Sequence, residues 1–325
     1  MTTLITGAAG FIGYHASLSL LQKGEDVVGI DNLNAHYDPS LKAARLDNLK
    51  MHKQFSFYPL ALEDHSQINK VIRNLPADLN IIHLAAQAGV RYSLIDPYAY
   101  TASNVEGHLS LLEACRHHGR IRHLVYASTS SVYGANTKLP FTVQDPTDSP
   151  ISLYAATKKC GELMSHAYTH LYDIPTTGLR YFTVYGPWGR PDMTAFTFTK
   201  AILAGEEITV FNHGDMRRNY TYIDDIIDGT LLCLSTPPHS PPKHCLYNIG
   251  HHRSESLMDF IHILEGILGK KAQLRFADIQ PGDMKETIAD IGPIQKDFGY
   301  FPKVDLKDGL EQFSRWYLHY YRQVL

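Results

Sequence analysis

Seven residues near the start of the chain, Gly7-Ala8-Ala9-Gly10-Phe11-Ile12-Gly13, restrict its fold more than any other stretch. They follow a short β-rich run, 2–6, and open an amphipathic stretch, 11–23. A strand that turns on glycine into a helix brings backbone close to a pyrophosphate, because glycine accepts positive φ and the first helical N–H groups are free donors at a positive dipole end. Gly7, Gly10, Phe11, Ile12 and Gly13 are therefore candidate dinucleotide contacts. Tight helix–strand packing calls for the same glycines, so the spacing G-x-x-G-x-x-G is read with what surrounds it.

What surrounds it is alternation. Apolar, β-rich runs at 2–6, 27–30, 55–58, 81–84 and 124–127 alternate with stretches of helical periodicity at 11–23, 41–50, 66–75, 97–118 and 154–172. Repeated βαβ units predict an α/β fold, a Rossmann-type doubly wound parallel sheet with helices on both faces. After Pro175 the pattern loosens into a strand at 177–181, a Pro/Gly-rich loop at 186–191 and a helix near 195–204. Pro237, Pro238, Pro241 and Pro242 mark an exposed loop. A smaller, interwoven C-terminal substrate domain is expected, with 1–178 and about 220–250 in the first unit and 179–219 and 251–325 in the second. In the last helix, 306–321, Leu310, Phe313, Trp316, Tyr317 and Tyr320 read as core.

A formal charge of -3 offers no basic face for nucleic acid. The four cysteines, Cys115, Cys160, Cys233 and Cys245, lie too far apart for a C-x-x-C pair, so neither a zinc site nor a disulfide framework is expected. With no export signal read before the first strand and no long apolar run, a cytoplasmic protein without a membrane span is expected. The 18 histidines show no ligand pattern, so surface positions and no metal are expected.

Asp31 ends the second run, where a carboxylate can accept from both hydroxyls of an adenosine ribose and repel a 2′-phosphate, favouring NAD over NADP. The alternative is a helix cap within Asp31-Asn32, and Asn32 is read as a cap in either case. Leu84-Ala85-Ala86-Gln87 ends the fourth run with small residues that let a cofactor lie on the backbone. Further on, Tyr154 and Lys158 stand four residues apart and share a helix face, where an ammonium would stabilise a phenolate. The fifth run ends in hydroxyls, Ser128-Thr129-Ser130-Ser131, where a reacting oxygen could be bound or, alternatively, a helix capped.

The segments TGAAGFIG, GIDNLN, HLAAQAGVRYS, YASTSSVYG, YAATKK, FTVYGPWGRPDM and TYIDD together resemble the extended short-chain dehydrogenases, NAD-dependent epimerases and dehydratases, and among them the UDP-glucuronate 4-epimerases. The resemblance spans nearly the whole chain. It implies Tyr154 as base, Lys158 as its tuner and ribose ligand, and Thr129 as second hydroxyl partner. By the same resemblance Ser130 and Ser131 face the sugar, Thr183 and Arg190 its carboxylate, and Arg218 the diphosphate. Asp283 falls near the nucleotide, Asn104 matches a structural and proton-relay asparagine of the superfamily, and Asn104 and Tyr181 fall among the cofactor neighbours. Asp225 is read as a cap of the helix it opens. One departure is Ala61, where the family pattern has an aspartate on the adenine amino group, so that backbone around Leu62 is left to recognise adenine. Helices 97–118 and 154–172 match the pair that related proteins use to form homodimers.

The implied reaction removes the C4 hydroxyl proton and hydride of a UDP-sugar, lets the 4-keto sugar turn, and returns the hydride to the other face. Related dehydratases and decarboxylases carry acids in the hydroxyl row, where Ser130 and Ser131 stand here, which favours simple epimerisation. The competing readings are a UDP-glucose 4-epimerase, a UDP-glucuronate decarboxylase and a non-catalytic NAD-sensing module.

Overall fold

The computed structural model describes residues 1–280 and 284–321. The first half runs β1 (Thr2–Thr6), α1 (Phe11–Gln22), β2 (Asp26–Ile30), α2 (Pro39–Lys50), β3 (Phe55–Tyr58), α3 (His65–Arg73), β4 (Leu79–His83), α4 (Pro97–Thr101), α5 (Gly107–His118), β5 (Ile121–Thr129), α6 (Leu153–Tyr172) and β6 (Thr176–Tyr181). The second runs β7 (Thr183–Tyr185), α7 (Thr194–Ala204), β8 (Glu207–Phe211), β9 (Arg217–Arg218), β10 (Tyr220–Tyr222), α8 (Ile223–Ser235), β11 (His244–Ile249), β12 (Glu255–Ser256), α9 (Leu257–Leu268), β13 (Gln273–Ala277), α10 (Gly292–Phe298) and α11 (Leu306–Tyr320).

Seven strands form one sheet in the order β11-β6-β5-β4-β1-β2-β3, every pair parallel. Successive residues of its strands enter opposite cores: Leu4, Val28, Ile81 and Leu124 face α3 and α5, while Ile5, Val27, Ile82 and Val125 face α1 and α8. Burial on both faces explains why these runs are continuously apolar. The chain reverses direction across the sheet between β1 and β4, and such a switch point opens a crevice at the carboxyl strand ends. The remaining strands make three short pairs, β7 with β10, β8 with β13 and β9 with β12.

Three expectations are corrected. The stretch 97–118 is not one helix: between α4 and α5 it widens into a π-turn, Ala102–Glu106, that carries Asn104. Asn32 caps no helix; its Oδ1 accepts from Asn34 N at 3.1 Å, and α2 is capped by Asp38. Nor does Asp225 cap α8, because its carboxylate accepts from the N–H groups of Lys303 at 2.9 Å and Val304 at 3.0 Å, tying α8 to the approach to α11.

The histidines are not all on the surface either. His83, His108, His123 and His251 are buried; His108 bonds Ser165 Oγ at 2.9 Å and His123 bonds Thr177 Oγ1 at 2.9 Å. Burial holds His108 down to about 3 and His123 to about 4, from 6.5. The unfolded chain binds their protons first, so their stabilisation is present above pH 6.5 and is lost progressively as pH falls toward those values. Melting temperature is expected to drop steeply from pH 7 to pH 5, each such imidazole contributing up to about 1.4 kcal/mol per pH unit. A melting temperature that is flat across this range would show that these rings are not neutral and buried.

Candidate active site

The carboxyl ends of β1, β2, β4 and β5 open onto a cleft of about 820 Å³. At its floor Gly7 has φ +75°, and a Cβ there would stand 2.7 Å from Ala85 N; a Cβ on Gly13 would strike the Gly7 carbonyl. The glycines therefore satisfy packing as well as any ligand. Above them Asp31 accepts from Ala9 N at 3.2 Å and Leu33 N at 2.8 Å, with Lys42 Nζ 3.7 Å away. Asn32, Leu62, Leu84, Ala85, Ala86 and Gln87 complete this end.

The other end carries the hydroxyls. β5 ends at Thr129, whose Oγ1 caps the following turn by accepting from Ser131 N at 3.2 Å. The Thr129 side chain also acts on the Tyr154 hydroxyl, lowering it. Ser152 Oγ caps α6, accepting from Ala155 N at 3.1 Å, and starts the helix so that Tyr154 and Lys158 fall on its cleft face. Burial pushes the Tyr154 hydroxyl up, while the Thr129 side chain and the charge of Arg190 pull it down. Lys158 is lowered to about 8 by burial, against the upward pull of Glu162. Arg190 is thus a cation acting on the tyrosine in addition to the Lys158 that the spacing named, and both line the cleft. Glu162 is itself held by Arg180 Nε at 2.8 Å and Ser128 Oγ at 2.7 Å, a buried support under the hydroxyl row.

Thr183 and Arg190 also line the cleft, as do Ser130 and Ser131. The loop that bears Arg190 is pinned from two sides. Arg45, fully buried on α2, donates to Ala9 O at 2.9 Å and to Trp188 O at 2.5 Å, and Trp188 packs 5.4 Å from Trp316 of α11. Arg190 itself donates from Nε to Asp192 Oδ1 at 3.0 Å and from Nη2 to Oδ2 at 2.5 Å.

Two further expected cofactor neighbours, Asn104 and Tyr181, are held by bonds within the protein. Asn104 does not line the cleft: its Oδ1 accepts from Gln87 N at 2.8 Å and its Nδ2 donates to Gln87 O at 3.0 Å and Thr157 Oγ1 at 3.0 Å, so it fixes the Gln87 backbone from behind. Tyr181 lines the cleft, yet its hydroxyl bonds Thr230 Oγ1 at 3.0 Å in the core. Arg218 is also absent from the described lining and donates to the carbonyls of Arg217 at 3.0 Å and Lys285 at 3.1 Å. Asp283 lies outside the described residues. Cleft residues without a role in the sequence reading include Asn34, His36, Lys42, Arg91, Tyr92 and Asp192. Of these Asn34, Arg91, Tyr92 and Asp192 lay inside quoted motifs without being singled out and Lys42 inside the predicted helix 41–50, while His36 sits in a connection that carries no periodicity.

Residues 3–250 match the model of the NAD dependent epimerase/dehydratase family. The chain belongs to that family. Within it, the chain is 45% identical over 338 residues to the protein CapI of Staphylococcus aureus, covering 99% of this chain and 100% of that one. It is 45% identical over 334 residues to UDP-glucuronate 4-epimerase 4 of Arabidopsis thaliana, covering 99% of this chain and 76% of the relative. Among solved structures it is similar to the UDP-glucuronic acid 4-epimerase of Bacillus cereus in complex with UDP-glucuronic acid and NAD, with a TM-score of 0.91 and 36% identity over 99% of this chain and 100% of that one.

Membership makes NAD the cofactor, and the cleft fits it. The glycine floor leaves no side chain between backbone and pyrophosphate, Asp31 stands at the β2 end, and the buried Gln87 Nε2 and His36 Nδ1 have no hydrogen-bond partner among the described residues. Among the described residues no helix is long and apolar enough to cross a membrane, and no cluster of three metal-binding side chains occurs.

Proposed function

We propose that the chain interconverts UDP-glucuronate and UDP-galacturonate by C4 epimerisation. One observation carries this reading: a single cleft sets the Thr129–Tyr154 hydroxyl pair against an arginine with paired donors, in a chain 45% identical to a UDP-glucuronate 4-epimerase. Bound NAD⁺ supplies the hydride acceptor. Tyr154 takes the C4 hydroxyl proton and gives it back, with Thr129 sharing the hydrogen bond and Lys158 holding the nicotinamide ribose. Phe11, Ile12, Gly13 and Gly10 cradle the diphosphate of the cofactor and Asp31 its ribose. Ser130 and Ser131 hold the sugar without a carboxylate to move the C5 proton. Thr183 and Arg190 restrain the C6 carboxylate, which becomes that of a β-keto acid once C4 is oxidised. Residues 179–219 and 251–325 carry the sugar nucleotide, and Arg218 and Asp283 complete its nucleotide end.

Proton NMR of the purified protein with UDP-glucuronate, and separately with UDP-glucose, tests this. UDP-galacturonate without carbon dioxide is expected. A pentose product would instead make it a decarboxylase, and turnover of UDP-glucose alone would make it a UDP-glucose epimerase. NAD binding without turnover of any sugar would leave a sensing module.

A cytoplasmic homodimer is part of the same reading. Leu163 and Leu171 of α6 are 60% and 63% exposed and Leu109 of α5 is 38% exposed, an apolar face suited to a second copy. Light scattering is expected to give twice the 36.6 kDa chain mass, and Leu163→Asp with Leu171→Asp to halve it. A wild-type chain that runs as a monomer would remove this part of the reading.

A further inference from the structure

If the carboxylate of the sugar must be gripped while C4 is a ketone, it must also be released, because the ring has to turn between the two hydride transfers. Breaking a desolvated arginine–carboxylate pair is strongly unfavourable when nothing replaces the lost partner. The cleft contains a replacement. Asp192 meets Arg190 through two hydrogen bonds, at 3.0 and 2.5 Å, in the fork geometry an incoming carboxylate would use. Both residues line the cleft, the arginine side chain 20% exposed and the aspartate 42%.

Asp192 does not depend on Arg190 for its place. Met193 N bonds Arg190 O at 3.1 Å, closing a turn with Pro191 at its second position, where the fixed φ of proline favours the bend. The arginine is also at the reacting end. Its charge acts on Tyr154 and Tyr100, and its Nη2 lies 3.6 Å from where a Cβ on Gly89 would stand.

We propose that Asp192 is a tethered stand-in for the substrate carboxylate, one that takes Arg190 back each time the sugar lets go and so allows the 4-keto ring to turn. The proposal rests on the UDP-glucuronate reading. The exchange swaps one carboxylate for another on the same guanidinium, so Arg190 is never left bare and no proton moves, and the carboxylate that lets go faces the open cleft, where the Asp192 side chain is already 42% exposed. Asp192 is accordingly a positioning residue: it acts through Arg190 and competes with the substrate for it.

Competition and turning predict opposite effects on binding and rate, which a structural role would not produce. Asp192→Asn keeps the size and removes the charge. Its KM for UDP-glucuronate is expected to fall and its kcat to fall about tenfold, while Asp192→Glu keeps both near wild type. In a Tyr154→Phe background, calorimetry is expected to show UDP-glucuronate bound about tenfold tighter with Asp192→Asn (about 1.4 kcal/mol) and UDP-glucose, which brings no carboxylate, bound equally by both proteins. Asp192→Ser gives the same comparison should the asparagine variant fail to fold. Unchanged constants, or a raised KM at constant kcat, would overturn the proposal. A wild-type protein that leaves UDP-glucuronate untouched while epimerising UDP-glucose would defeat the substrate reading and this inference with it; a wild-type protein that epimerises UDP-glucuronate and an Asp192→Asn variant identical to it would defeat the inference alone.

Discussion

Tyr154→Phe is expected to lower kcat for epimerisation by about 10²–10⁴-fold, the range lost when a general acid–base group is removed. The neighbouring hydroxyl cannot replace it. Thr129 has a hydroxyl, but that hydroxyl caps the turn at Ser131 and acts on Tyr154, and an alcohol lacks the acidity of a phenol. Burial raises the Tyr154 hydroxyl and Thr129 and Arg190 offset part of that rise, so the phenolate is most accessible when both partners are in place. Sharpening follows for pH: the rate should fall on the acid side as the tyrosine stays protonated. Cofactor binding should survive, because the ring packs edge-on against Tyr100 at 6.0 Å and phenylalanine keeps that contact. Stopped turnover with retained NAD, read by NMR and by thermal shift, is the expected pair of results. A variant within tenfold of wild type would show that another group moves the proton.

Much of this site is legible in the sequence because its chemistry and its secondary structure are local to the same few residues. A glycine turn between strand and helix, an acid at the next strand end and a tyrosine–lysine pair one helical turn apart each declare a place on the cleft. What was not legible is held together across the chain. Arg45 joins the glycine turn to Trp188, 143 residues away, and nothing near Arg45 in sequence marks it as buried. Asn104 follows a helical pattern, yet its bonds to the Gln87 backbone open a π-turn that periodicity cannot announce. The buried histidines fail for the same reason: whether His83 is solvated or bonded to Thr6 Oγ1 at 2.7 Å depends on a strand 77 residues earlier. The pairing of Arg190 with Asp192 is local, but its meaning depends on the cleft both side chains line.

Arg190→Met is expected to change what the enzyme makes as well as how fast. Once C4 is a ketone, the C5–C6 bond breaks whenever it aligns with the carbonyl π system, expelling carbon dioxide and leaving a 4-keto pentose. In the proposed function Arg190 prevents this by fixing the carboxylate plane through paired N–H donors, which methionine of similar length cannot do. Loss of one partner of such a desolvated pair typically costs about 2–5 kcal/mol, so a rise in KM for UDP-glucuronate of at least tenfold is expected, together with a pentose product and released carbon dioxide. The variant also leaves Asp192, now without its partner, facing the incoming carboxylate, and that like-charge contact adds to the loss. Arg190→Lys separates charge from geometry. It restores attraction for the carboxylate but supplies a rotatable point charge in place of a planar fork, so it should recover affinity more fully than product fidelity. Both readouts come from one NMR time course with trapped carbon dioxide. Clean UDP-galacturonate from Arg190→Met would shift the restraint to Thr183 and the Ser130–Ser131 turn, the other groups on the walls of the same cleft.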